Sequence, residues 1–151
     1  MYVIYSVIIA VILITDFLVK QYILNNVALG ETFGSFTALF DFVYVQNTGA
    51  AFSILSGKMW LLAVVSVVFC IAVIVYFIKK RPKNKLLCIS LAMMFAGALG
   101  NAVDRICYGY VVDFIKTTFM NFAVFNIADI AITVGACLLV VYTMFFDEKE
   151  K

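Results

Sequence analysis

The sequence predicts an all-α polytopic membrane protein: four transmembrane helices with a small extracytoplasmic β-containing loop region. The first observation is composition, because 66% of the 151 residues are hydrophobic and only 13% are charged. Soluble domains of this length carry about twice that share of charged residues. The second observation is that four apolar stretches are each long enough to cross a bilayer. The third is that these stretches are continuous rather than alternating, which disfavours a membrane β-barrel.

The predicted spans divide one membrane-embedded domain, residues 1–151, into helices and outward loops. The first span lacks the basic start and the small-residue cleavage site of a signal peptide, so we expect it to persist as a span. The spans cover residues 2–24, 59–78, 86–103 and 127–146, and the outward loops cover residues 25–58 and 104–124.

A basic loop between the second and third spans predicts the orientation. Short loops rich in Lys and Arg stay on the cytoplasmic side of a membrane. With four spans, both termini are then cytoplasmic and the two longer loops lie outside. The basic residues of this loop are Lys79, Lys80, Arg81, Lys83 and Lys85.

The first outward loop predicts the β-containing region. It is too long for a simple connector, and its segment from Phe33 to Val45 is rich in aromatic and apolar residues with partial alternation. A short strand pair or sheet at the membrane interface fits this pattern, because aromatic side chains suit the headgroup level.

Polar residues of three spans gather at one level near the outer face. Asp16 lies roughly 21 Å above the inner end of its span, at about 1.5 Å per residue. Asn101, Asp104 and Arg105 lie at the outer end of the third span and share one helix face. Asn126 and Asp129 begin the fourth span. Ionisable groups at bilayer depth are costly, so this level predicts a functional site.

Asp113 and Asp129 suggest aspartyl acid/base hydrolysis carried out in the membrane. Two carboxylates that converge share a proton, so that one acts as base and the other as acid. The chain has no His, which excludes a Cys–His nucleophile and a zinc protease with a His-Glu-x-x-His motif. Its four cysteines show no metal-binding spacing. We therefore expect neither a metal nor another cofactor.

Each polar feature also has a structural interpretation. Asp129 fits a helix cap, and Asp113 fits a solvated loop acid. Asp104 and Arg105 fit an ion pair at the interface or a snorkelling Arg. The segment around Asn47 fits an ordinary turn.

Two other classes of protein compete with a hydrolase. A small polytopic transporter or channel needs a row of polar residues through the membrane, whereas the inner halves of these spans are almost wholly apolar. A non-catalytic assembly or chaperone subunit needs no pair of acids opposite each other.

Five motifs, taken in order along the chain, resemble the lipoprotein signal peptidases, also called signal peptidase II. The likeness covers essentially the whole chain, including its length and its four spans. The motifs are Asp16-x-x-x-Lys20, Asn47-Thr48-Gly49-Ala50-Ala51-Phe52, Gly97-Ala98-Leu99-Gly100-Asn101-x-x-Asp104-Arg105, Gly109-x-Val111-Val112-Asp113-Phe114 and Phe125-Asn126-Ile127-Ala128-Asp129.

The resemblance implies a function and a role for each site residue. Such enzymes cut the signal peptide from a prolipoprotein, on the N-terminal side of a Cys that already carries diacylglycerol. Asp113 and Asp129 would be the catalytic pair. The substrate-binding residues would be Asn47, Gly49, Asn101, Arg105 and Asn126, and the residues of structural support would be Asp16, Lys20 and Asp104.

The resemblance also implies partners and a location. The partners would be diacylglyceryl-modified prolipoproteins, membrane lipids and the cyclic peptide inhibitor globomycin, with no nucleic acid, and the protein would be a monomer. It would lie in the bacterial cytoplasmic (inner) membrane with its active site near the outer face. Two positions depart from the family pattern: Phe17 stands where Gln is common, and Ile130 where Ser is common.

Overall fold

The computed structural model describes residues 2–49 and 57–146, which form four long helices and one small sheet. All four helices are long and apolar enough to cross a membrane, so the predicted fold class is confirmed. The predictions that fall on residues 50–56 and 147–151, including the Ala-Ala-Phe end of the second motif, lie outside the described residues. In chain order the elements are α1 (Tyr2–Asn26), β1 (Thr32–Phe36), β2 (Phe40–Asn47), α2 (Met59–Lys80), α3 (Lys85–Tyr108), β3 (Val111–Thr117) and α4 (Ile127–Phe145).

The ends of α3 are set by two capping residues. Asn84 begins the helix, because its Oδ1 atom accepts hydrogen bonds from the backbone nitrogens of Leu86 at 2.9 Å and Leu87 at 3.3 Å. Gly109 ends it in the left-handed conformation, with φ of 76°. The helix therefore runs past residue 103, where the predicted span ended, and Asp104 and Arg105 are helical rather than part of a loop.

The other three helices all pack against α3. Small residues bring α3 and α4 close together. A Cβ atom added at Gly135 would lie 2.8 Å from the backbone oxygen of Ser90, and one added at Gly97 would collide with the backbone oxygen of Ala128. Larger side chains at these two glycines would force α3 and α4 apart. Because α4 begins only two residues before Asp129, such a shift would also move Asp129.

The sheet joins the two loops that are predicted to face outward, and we call the sheet side of the bundle its outer end. Its order is β1-β2-β3, and both pairs are antiparallel. Asn47, at the end of β2, lies opposite Val111, at the start of β3. One face of the sheet packs on the outer end of α1, where Val112 and Phe114 contact Ile23. The β-containing region is thus larger than the sequence indicated, because the segment that forms β3 was predicted as loop.

Candidate active site

Two elements carry the two aspartates to the same place. Asp113 is the third residue of β3 and is 1% exposed. Asp129 lies in the first turn of α4. Its carboxylate closes a capping box with Asn126: the Asp129 backbone nitrogen donates to Asn126 Oδ1 at 2.9 Å, and the Asn126 backbone nitrogen donates to Asp129 Oδ2 at 3.1 Å. The helix start therefore fixes the direction of the Asp129 side chain.

Two asparagine side chains connect the carboxylates. Asn126 Nδ2 donates to Asp113 Oδ1 at 2.7 Å and to Asn101 Oδ1 at 3.1 Å. Asn101 Nδ2 in turn donates to Asp129 Oδ1 at 2.8 Å. Both asparagines are buried, with 0% exposure for Asn126 and 2% for Asn101. A continuous chain of hydrogen bonds thus runs from β3 through α4 and α3.

Asn47 holds the other side of Asp113 and is itself held by Gly49. Asn47 Nδ2 donates to Asp113 Oδ2 at 2.8 Å, and Asn47 Oδ1 accepts from the Gly49 backbone nitrogen at 2.9 Å. The ordinary-turn interpretation of this segment is therefore partly right, because Asn47 closes a tight turn. The same side chain also contacts the acid.

A buried ion cluster lies behind this network. Lys20 Nζ lies 2.7 Å from Asp16 Oδ2 and 2.9 Å from Asp104 Oδ2. Asp16 Oδ1 accepts from the backbone nitrogen of Ala128 at 3.1 Å, and Asp104 Oδ2 accepts from that of Val112 at 3.2 Å. The cluster thus ties α1 and α3 to α4 and β3.

Arg105 extends from α3 with unused hydrogen-bonding capacity. Its Nη1 atom donates to Ser66 Oγ of α2 at 3.5 Å, a long bond. Its buried Nε atom has no hydrogen-bond partner within the described residues. The alternative interpretation of Asp104 and Arg105 as an ion pair does not describe this arrangement, since Asp104 is salt-bridged to Lys20. Arg105 lies beside the two catalytic candidates and can offer donors to a ligand.

These side chains face a cavity of about 400 Å³ whose walls are mostly apolar. Asn47, Asn101, Arg105, Asp113 and Asp129 supply its polar wall. Gly49 and Asn126 do not line it. The other lining residues, none of which was predicted as a site residue, are Val111, Phe122, Ala123, Val124, Phe125, Ile130, Ile132, Thr133 and Val134.

The two departures from the family pattern occupy different surroundings. Phe17 is 54% exposed on the outer surface of α1. Ile130 lines the cavity directly after Asp129. Only Ile130 is therefore placed to alter the surroundings of a proposed catalytic atom.

The surroundings of Asp113 favour its neutral form. Burial raises the pKa of the Asp113 carboxyl to about 7, and the charge of Asp129 acts in the same direction. Hydrogen bonds from Asn47 and Asn126 and the charge of Lys20 oppose this rise in the pKa without cancelling it. The interpretation of Asp113 as a solvated loop acid is therefore wrong. This carboxyl therefore exchanges its proton near neutral pH, where both its neutral and its ionised forms are present.

The described residues contain no group of three or more His, Cys, Asp or Glu side chains that could hold a metal ion. The carboxylates of Asp113 and Asp129 are instead surrounded by amide donors. The fold and this site define a class: a multi-pass membrane protein with two buried carboxylates at an apolar cavity, an arrangement suited to acid/base chemistry.

Comparisons with known proteins identify the family. The family model described as signal peptidase (SPase) II matches residues 8–145. A lipoprotein signal peptidase of Lactobacillus johnsonii is 38% identical over 146 residues, covering 97% of this chain and 95% of the relative. A lipoprotein signal peptidase of Clostridium acetobutylicum is also 38% identical over 146 residues, covering 95% of each chain.

Two solved structures, both described as bacterial membrane enzymes studied by the in meso method, share the fold. One superimposes with a TM-score of 0.90 at 33% identity, covering 97% of this chain and 91% of the other. The second has a TM-score of 0.84 at 34% identity and covers 95% and 93%. The chain belongs to the signal peptidase II family and is a multi-pass bacterial membrane protease. The transporter and assembly-subunit alternatives are not supported.

Proposed function

We propose that this protein is an aspartyl lipoprotein signal peptidase. It removes signal peptides from diacylglyceryl-modified prolipoproteins by cutting on the N-terminal side of the lipidated Cys. The observation that carries this proposal is the convergence of Asp113 and Asp129 on one cavity, with Asn101 and Asn126 joining them by hydrogen bonds. The names of the relatives from Lactobacillus johnsonii and Clostridium acetobutylicum support the substrate class.

The two carboxyls divide the proton chemistry. One ionised carboxylate takes a proton from water, which then attacks the scissile carbonyl. The protonated carboxyl polarises that carbonyl and afterwards delivers a proton to the leaving nitrogen. The raised pKa of Asp113, about 7, supports the presence of one shared proton at neutral pH. Because the two groups titrate together, the roles of base and acid belong to the pair.

Arg105 and the asparagines position the substrate. The Nε atom of Arg105, which has no partner in residues 2–49 and 57–146, supports a hydrogen bond to a carbonyl oxygen of the extended peptide. Asn47 and Asn101 present amide groups on the same cavity wall. These groups align the scissile bond with the carboxyls, and good alignment contributes a large share of catalysis in general.

The apolar wall lets the substrate keep its lipid in the bilayer. Ile130 and Val134 line the cavity and are 42% and 40% exposed on the outer surface of α4. Phe122 forms the neighbouring wall. Acyl chains attached to the substrate Cys stay in the membrane beside α4 while the peptide enters the cavity. Globomycin is expected to compete for the same cavity.

The protein lies in the cytoplasmic membrane as a monomeric single domain, with both termini inside and the cavity at the outer face. The basic residues from Lys79 to Lys85 support this orientation. Labelling of single cysteines introduced at Asn84 and Thr37, in a background without the native cysteines, tests it. In intact cells, the Thr37→Cys variant should react with an impermeant thiol reagent. Reaction of the Asn84→Cys variant with the same reagent would reverse the orientation.

Cleavage of one precursor in lipidated and unlipidated forms tests the substrate. The purified protein, in the same lipid or detergent, should cut only the diacylglyceryl form, and mass spectrometry of the products should place the cut directly before the modified Cys. Loss of apolar anchoring, roughly 0.8 kcal/mol per methylene, explains the expected difference. Equal rates at limiting substrate concentration would contradict the lipid requirement. A cut elsewhere in the sequence would contradict the proposed specificity.

A further inference from the structure

Lys20 has three acceptors for the three N–H groups of its ammonium. Two are the carboxylates of Asp16 and Asp104. The third is Asn101 Oδ1, at 3.2 Å. With 2% of its surface exposed, Lys20 has no access to water that could substitute for these partners. Every donor of this cation is therefore used inside the protein.

The contact with Lys20 decides which way the Asn101 amide faces. A lysine ammonium only donates hydrogen bonds, so the amide must turn its oxygen toward it. The same oxygen accepts from Asn126 Nδ2. The nitrogen of the amide then points away from Lys20 and toward Asp129 Oδ1, at 2.8 Å. A flipped amide would set its NH₂ group against the ammonium and its oxygen against the carboxylate.

The orientation of the Asn101 amide also sets that of the Asn126 amide, which faces Asp113. Because Asn101 presents oxygen, Asn126 must present its NH₂ group there, and that group also reaches Asp113 Oδ1 at 2.7 Å. Asn126 Oδ1 remains free to accept from the backbone nitrogen of Asp129. One cation therefore sets the direction of two amides and the donors that face both carboxylates.

We propose that Lys20 is a positioning residue for the two aspartates, acting through the Asn101 amide separately from its part in holding the helices together. This inference rests on the proposed function, in which Asp113 and Asp129 perform the proton transfers. The structural ties of the ion cluster belong to the carboxylates, since Asp16 bonds to Ala128 and Asp104 to Val112. The polar partners of Lys20 in the described part of the chain lie on α1 and α3, not on α4 or β3.

The cation also acts on Asp113 through its charge. The charged groups that face Asp113 are Asp129 from α4, Lys20 from α1 and Arg105 from α3. Burial is the main cause that raises the pKa of Asp113, and the Lys20 charge works against it. Loss of that charge raises this pKa further. The carboxyl then keeps its proton to higher pH, so the limb of the activity profile that falls with rising pH moves upward.

Charge-matched variants separate positioning from folding. In Lys20→Met with Asp16→Asn, the ion cluster keeps its net charge of −1, carried by Asp104, but loses the cation. Lys20→Gln with Asp16→Asn has the same charge and restores an uncharged N–H donor for Asn101. Asp16→Asn alone keeps Lys20 and serves as the control. Rates on a lipidated precursor are measured from about pH 5 to 9, together with thermal unfolding of each purified variant.

The Met double variant should fold and bind substrate with KM within about threefold of wild type, whereas kcat should fall roughly tenfold or more. The Gln double variant should recover much of kcat, because it restores the donor. Both should show a falling limb at higher pH than Asp16→Asn alone, because the single variant keeps the Lys20 charge that lowers the pKa of Asp113. A Met double variant with wild-type kcat and pH profile would overturn the inference. So would its failure to fold, because the positioning role would then not be separable.

A parallel assay of Asp113→Asn and Asp129→Asn distinguishes failure of the proposed function from failure of the role of Lys20. If either dyad variant cleaves at the wild-type rate, the proposed function fails, and the positioning role fails with it. If both are inactive while the Met double variant behaves as wild type, only the role of Lys20 is overturned.

Discussion

The half of the helix bundle beside the sheet, which we call the outer half, and the opposite half, which we call the inner half, are held together in different ways. In the outer half, α1, α3 and α4 meet through buried Asp16, Lys20, Asn101, Asp104 and Asn126. In the inner half, Tyr5, Cys88 and Ala92 form an apolar cluster with partly buried neighbours such as Phe77. In the inner half, α1 and α3 therefore join by apolar packing, with α2 beside them. Buried ion pairs often stabilise no more than apolar side chains of similar volume would. The buried polar residues of the outer half are therefore better explained by the proposed catalytic function than by stability.

Two asparagine caps, one in each half, allow the two halves to be compared by the same substitution. Asn84 begins α3 in the inner half and Asn126 begins α4 in the outer half. Asn126→Ala removes a cap together with the bonds to Asn101 and Asp113. We expect activity to fall about 100-fold, the scale of a misplaced catalytic group. Measured kcat/KM on a lipidated precursor checks this.

Asn84→Ala is the matched control, because it removes only a cap. A lost cap costs about 1 kcal/mol of stability, so both variants should unfold at a lower temperature. Activity of Asn84→Ala, measured well below unfolding, should stay within about twofold of wild type. Equal loss of activity in the two variants would mean that the outer network matters only for stability.

The next prediction concerns the guanidinium of Arg105. Arg105→Lys keeps the charge but loses the planar fork and the Nε donor. We expect roughly a tenfold loss of kcat/KM with little change in thermal unfolding, since among the described residues Arg105 makes one long side-chain bond, to Ser66. Arg81→Lys in the inner loop is the control and should be neutral. Full activity of Arg105→Lys would mean that charge alone matters at this position.

The smallest expected effect is on the pH dependence of stability. The folded-state pKa of Asp113, about 7, lies above its ordinary value of 3.8. Its contribution to stability is therefore fully present below about pH 4 and is lost as pH rises through 7. Thermal unfolding at pH 6 and 8 should show that Asp113→Asn loses less stability than wild type over this interval. Asp41→Asn, on the sheet, is the control, and an Asp113→Asn curve parallel to wild type would contradict the raised pKa.

The inner half could be predicted from the sequence more completely than the outer half. Runs of about 20 apolar residues predict spans because a bilayer sets the length that is needed. The same criterion, the length of an apolar run, placed the end of the third span at residue 103. The helix continues to Tyr108, and Gly109 is a recognisable signal for its end. Strand β3 was missed because it pairs with β2, which lies more than 60 residues earlier in the chain. Short strands are specified largely by such distant partners.

The candidate site could be predicted as a list of residues but not as a network. The motifs and the common membrane level indicated Asp113, Asp129 and their neighbours. The bond from Asn47 to Asp113 spans 66 residues and that from Lys20 to Asn101 spans 81. No local spacing rule reaches so far. Ser66, the partner of Arg105, gave no signal at all, since a lone Ser in an apolar helix usually bonds to its own backbone.

Cleavage assays of the two single aspartate variants test whether Asp113 and Asp129 are the catalytic pair. Asp113→Asn and Asp129→Asn are each purified from membranes and assayed on a diacylglyceryl-modified precursor beside wild type. Each variant keeps the shape of the side chain and removes its ionisable proton. We expect both variants to unfold cooperatively as wild type does, and both to lose at least about 1000-fold in cleavage rate. Cleavage near the wild-type rate by either folded variant would contradict the assignment of the two carboxyls as the catalytic pair.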